Sequence, residues 1–63
     1  MILDDTFSTA AMEAIVRARF ARYDMHIIES ETCVVVIDTG SRVHRFPGNT
    51  KREALRNAAA FHP

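Results

Sequence analysis

The chain has 63 residues, eight basic and eight acidic, so its formal net charge is zero, and 48 % of it is apolar. That length accommodates one domain, 1–63, and the apolar share is that of a folded chain rather than a disordered one. The longest apolar run, Cys33 to Ile37, has five residues, against the about 20 that a membrane span needs.

Asp4 and Asp5 follow Met1-Ile2-Leu3 directly, the reverse of a basic secretory start. A lone cysteine excludes an internal disulfide framework and fits a reducing compartment. His26, His44 and His62 show no metal-ligand spacing with each other or with Cys33. A soluble cytoplasmic protein is expected, with no cofactor, no structural metal, no membrane contact and no small-molecule substrate.

Below roughly 70–80 residues a single core rarely supplies more than about 3–5 kcal/mol unless a disulfide, a metal or a second chain adds to it. Nine of the apolar residues are alanines, which bury little area each. A homodimer is therefore expected. Residues 1–31 carry a net charge of −3 and residues 32–63 a net +3. Such a dipolar protomer can pair head to tail, or offer its basic end to an anion.

Residues 1–7 read as a leader. Ser8 is a helix N-cap, with Phe7 and Met12 placed as a hydrophobic staple. A helix is predicted over about 9–22. Met12, Val16, Phe20 and Tyr23 form one stripe of large residues. Ala11, Ala14, Ala18 and Ala21 form a stripe of small ones, where a second helix can approach closely. Glu13 and Arg17 are an i,i+4 pair.

From Tyr23 the period changes to two, which predicts a strand over 23–29. Glu29-Ser30-Glu31 is a short polar break. Residues 32–38 are β-branched almost throughout and form the strongest predicted strand, with both faces apolar: Cys33/Val35/Ile37 and Val34/Val36. Thr39-Gly40 makes a turn. A shorter strand is predicted over 41–46, ended by Pro47-Gly48. Thr50 and Glu53 form a capping box for a helix over about 51–61, with Ala54, Leu55, Ala58 and Phe61 on its buried face.

The expected fold is α+β: a three-stranded antiparallel meander with two helices on one face, in the order α-β-β-β-α. The far sheet face then lies open. Either Val34 and Val36 or the Cys33/Val35/Ile37 set would show there; Val34 and Val36, extended by Ile28 and Phe46, are the residues expected to bind a protein partner.

Val36-Ile37-Asp38-Thr39-Gly40-Ser41 looks like the aspartic-protease signature, in which two carboxylates share one proton. The helical share of this chain, and its lack of a flap hairpin, argue instead for a strand-ending Asp at a turn. Cys33 lies in the most apolar strand and reads as a core residue, not a nucleophile. Only two glycines occur, so there is no phosphate-cradling loop. The chain is not expected to be an enzyme.

Thr50-Lys51-Arg52-Glu53-Ala54-Leu55-Arg56-Asn57-Ala58-Ala59-Ala60 resembles the second helix of the double-stranded RNA-binding domain, which typically shows Ser-Lys-Lys-x-Ala-Lys and then an Ala-Ala pair. The resemblance implies the same α-β-β-β-α order. It also implies that Lys51 and Arg52 grip phosphates across a major groove, with Arg56 near the third lysine. Leu55 stands where that lysine is expected. The family's long loop after its first strand is here only Glu29-Ser30-Glu31. The small mRNA-cleaving toxins of HicA type resemble the chain in the third strand, the proline and the basic last helix. Their catalytic histidine has no counterpart at Ser30-Glu31-Thr32.

Two readings follow. One is a protein-binding inhibitor, adaptor or regulator acting through the apolar sheet face or the edge strand, of the kind phages and mobile elements use against host defences. The alternative is nucleic-acid binding through Arg42, Arg45, Lys51, Arg52 and Arg56. Arg42 and His44 alternate along the third strand, with Phe46 beyond them, as an aromatic and basic platform would require.

Overall fold

The computed structural model describes residues 6–62. Residues 1–5 of the predicted leader, and Pro63, lie outside the described residues. The elements are α1 (Thr9–Arg19), β1 (Asp24–Glu29), β2 (Cys33–Asp38), β3 (Val43–Gly48) and α2 (Lys51–Ala59), and the antiparallel sheet has the order β1-β2-β3. This is the expected α+β meander with both helices on one face.

The polar side chains that begin each helix act as the sequence requires. Ser8 Oγ accepts the Ala11 N–H at 3.1 Å, and Thr50 Oγ1 accepts the Glu53 N–H at 3.2 Å. Each satisfies one of the donors that a helix start leaves without a partner. α1 ends three residues before its predicted limit. Phe20 leaves helical geometry (φ −108°, ψ 30°) and its carbonyl accepts the Tyr23 N–H at 3.0 Å. Phe20 is itself 1 % exposed. Its burial anchors the turn that reverses the chain into β1, so packing overrides a helix-permissive sequence.

The β2–β3 connection is built on Asp38 and Thr39. Asp38 Oδ1 accepts the Gly40 N–H at 2.8 Å, and Thr39 N–H donates to the Arg42 carbonyl at 3.0 Å. Gly40 has φ +90°, a conformation that residues with a Cβ rarely adopt. The Asp-Thr-Gly run is thus a turn, with its carboxylate bonded to its own backbone.

β3 extends two residues beyond its predicted end, through Pro47 and Gly48. β3 is an edge strand, where a proline costs no ladder bond. Gly48 is required by α2. A Cβ there would lie 2.9 Å from Ala54 Cα and from the Glu53 carbonyl carbon, well inside van der Waals contact. Asn57 fixes the same junction by donating from Nδ2 to the Pro47 carbonyl at 2.9 Å.

The core is Met12, Val16, Phe20, Cys33, Val35, Ile37, Ala54, Leu55, Ala58 and Ala59. β2 alternates between buried and half-buried residues along its length, which settles which of its two apolar faces the helices cover. It is the Cys33/Val35/Ile37 face.

Two expectations are corrected. Phe46 does not extend the open face: it pairs with Val35, so the pleat puts it on the helix side, where it packs against the core and meets Phe61 with ring centroids 5.3 Å apart. Within one chain no helix packs on the alanine stripe either, which leaves it open to a second copy. Ala14, Ala18 and Ala21 are exposed and Ala11 is half-buried. The i,i+4 series Met12, Val16, Phe20 points at α2 and the sheet, and no further layer exists among the described residues to cover the alanines.

Candidate interaction surfaces

The register places three cross-strand rows on the open sheet face: Ile28–Val34–Pro47, His26–Val36–Arg45 and Asp24–Asp38–Val43. Ile28 is 57 % and Val43 50 % exposed. Val34 and Val36 are half-buried. Of the predicted docking residues, Ile28, Val34 and Val36 therefore share one surface.

That surface is not uniformly apolar. Asp24 and Asp38 stand directly opposite each other, and like charges so placed destabilise a strand pair. The exposed Arg45 guanidinium, one row away, makes no hydrogen bond or ion pair among the described residues. The face thus offers an apolar end, a cationic centre and an anionic end.

The five basic residues of the nucleic-acid reading do not come together. Arg45 is on the open face, whereas Lys51, Arg52 and Arg56 belong to α2, on the other side of the sheet. Lys51 Nζ lies 2.6 Å from Glu13 Oε1 and 3.9 Å from Glu29 Oε2. The Glu13 hydrogen bond raises the Lys51 pKa above its ordinary value. The bonds from Lys51 and then Arg17 hold the Glu13 carboxyl below its own. Arg52 Nη1 donates to the Phe7 carbonyl at 2.7 Å. Two of the three groups that the RNA-binding resemblance assigns to phosphates are engaged in holding α2 to α1 and to the segment before it.

A second surface lies at the end of the sheet near the β2–β3 turn. Tyr23, Thr39, Ser41, Arg42, His44, Phe61 and His62 line an open cleft of about 410 Å³. The His44 and Phe61 rings meet at a 40° tilt with centroids 4.4 Å apart. Arg19 holds the wall after α2 in place, with Nη2 donating to the Phe61 carbonyl at 3.0 Å and lying 3.1 Å from His62 Nδ1. A guanidinium has only donors, so Nδ1 accepts and the ring proton is on Nε2. Arg42 and His44, paired in the sequence reading, do meet here, but half-buried Phe61 rather than Phe46 supplies the aromatic wall. Tyr23, Thr39, Ser41, Phe61 and His62 were missed as site residues. Periodicity assigns Tyr23 and Phe61 to the core, Thr39 and Ser41 read as turn residues, and no local pattern brings residue 23 to residue 61.

Cys33 is a core residue, 3 % exposed, and its burial pushes the thiol pKa up, the reverse of what a nucleophilic thiolate needs. Among the described residues no helix is long and apolar enough to cross a membrane, and no group of three or more His, Cys, Asp or Glu residues is placed to hold a metal. Comparison with known proteins finds no family model that matches the chain and no significant match among curated proteins or solved structures.

Proposed function

We propose that this protein is a non-enzymatic protein-binding module that acts through the open face of its sheet, and that the protein bound there is a second copy of the chain. The observation that carries this reading is the one-sided core. Among the described residues all ten buried ones lie between the helices and the sheet, while on the other side Ile28 and Val43 are exposed and Val34 and Val36 half-buried. Among them only six large side chains are fully buried, so the fold gains much from a further apolar contact. Charge favours a copy of the same chain. The face carries both an unpaired Arg45 and the opposed Asp24 and Asp38, so two copies can neutralise each other's excess.

The test is absolute mass by light scattering after size exclusion, at about 50 mM and 500 mM salt and over a range of concentrations. A dimer is expected at both salts, because apolar contact dominates. Val34→Glu and Val36→Glu should give folded monomers, since neither side chain enters the core. Arg56→Glu, on α2, should leave the dimer intact. A wild-type monomer throughout, or a dimer indifferent to Val34→Glu, overturns the proposal.

A further inference from the structure

The cleft at the β2–β3 turn has a chemistry unlike that of the open face. Among the described residues its lining offers two rings in tilted contact, a phenol, hydroxyls, a guanidinium and a second imidazole, and no carboxylate. Asp38, the acid nearest in the chain, is turned to the Gly40 N–H. The Thr39 hydroxyl is committed locally, lying 3.2 Å from the Arg42 carbonyl and 3.3 Å from the Arg42 N–H. Among the described residues the Ser41 hydroxyl makes one contact, with Thr39 Oγ1 at 3.3 Å; with the Thr39 proton given to the Arg42 carbonyl, Ser41 is the donor there, and it turns into the cleft by releasing that single long bond. The Arg42 guanidinium has no partner among the described residues.

From these groups we infer that the cleft binds a small aromatic anion of mononucleotide size, its ring laid on His44 and Phe61 and its phosphate met by Arg42 and Ser41. Guanidinium and hydroxyl donors match phosphate oxygens, and the guanidinium can bind two of them at once. A planar heterocycle suits the exposed ring face, and base–aromatic stacking is worth about 1–3 kcal/mol. The volume of about 410 Å³ is at the small end of the ligand-site range, which fits one ring system with its phosphate and little more. Arg19 makes the site a built one, since its bonds to Phe61 and His62 hold the far wall against α1. This departs from the sequence-based expectation of no small-molecule ligand. It is independent of the open-face proposal, because the cleft lies on the helix side of the sheet.

The test is a backbone-amide NMR titration of the full chain with adenosine 5′-monophosphate, and separately with adenosine and with inorganic phosphate. Saturable shifts are expected at Ser41, Arg42, His44 and Phe61. The nucleotide should bind at least about tenfold more tightly than either fragment, because ring and phosphate act together. Arg42→Glu should weaken nucleotide binding by about tenfold or more. Arg56→Glu makes the same change in net charge on α2 and should leave binding within about twofold. Circular dichroism checks that both variants stay folded. The inference is overturned by any of four results: no saturable shift up to about 10 mM nucleotide, shifts that map elsewhere, phosphate alone binding as tightly as the nucleotide, or equal losses in the two variants.

Discussion

Gly48→Ala isolates one contact on which the placement of α2 depends. The added Cβ would stand 2.9 Å from Ala54 Cα and from the Glu53 carbonyl carbon, whereas carbon atoms pack best at about 3.5–4.0 Å. The obstructing atoms are backbone, so no rotamer change relieves the clash. The Ala54 backbone N lies nearer still, so α2 must withdraw by roughly 1 Å, and a gap of that size forfeits about half of the dispersion attraction across it. Ala54, Leu55, Ala58 and Ala59, all buried on α2, would lose contact together. Overpacking typically costs about 1–3 kcal/mol, and a loss of about 2–3 kcal/mol is expected here. For a chain of this size that lowers Tm by about 10–20 °C.

Gly40→Ala is the matched control. It has φ +90° but nothing within 4 Å of its added Cβ. It carries only the backbone penalty of about 1–2 kcal/mol, reduced by the stiffer unfolded chain. Urea and thermal unfolding followed by far-ultraviolet circular dichroism measure both variants. If Gly48→Ala unfolds within about 0.5 kcal/mol of wild type, or costs less than Gly40→Ala, the close approach of α2 to β3 is wrong.

Two further outcomes follow from the ion pair and the thiol. The bond from Lys51 lowers the Glu13 pKa from its ordinary 4.5 and raises that of Lys51 from 10.5. The Glu13 contribution to stability is therefore present above pH 4.5 and lost as pH falls through the depressed value. The Lys51 contribution is present below pH 10.5 and lost as pH rises through the raised one. Glu13→Gln should flatten both limbs of a Tm-against-pH curve, and an unchanged acid limb sinks the assignment. Cys33, buried and with its thiol pKa raised, should react with an aromatic disulfide only when the fold opens. Its labelling rate in urea should track unfolding, and labelling of the native protein at the rate of a free thiol contradicts the core assignment.

Local chemistry alone was enough to locate the elements. Ser8 and Thr50 mark helix starts because their side chains cap backbone donors within three residues. Residues 33 to 38 form a strand because β-branched side chains suit a pleated, covered surface. The Asp38-Thr39-Gly40 turn was legible for the same reason, since its bonds are confined to a few neighbouring residues. The α-β-β-β-α order then followed from short connections.

What faces what was decided by contacts between residues far apart in the chain. Val34/Val36 and Cys33/Val35/Ile37 are equally apolar, and only the docking of Met12, Val16 and Leu55 on one side distinguishes them. Phe46 joined the core because register pairs it with Val35, and a shift of one residue would have turned it outward. Lys51 and Arg52 resemble phosphate ligands in a linear reading, but packing brings Glu13 and the Phe7 carbonyl to them. The cleft has the same origin. Periodicity is a property of one segment, whereas a site drawn from residues 23, 42, 44 and 61 exists only once the sheet and the second helix have closed on each other.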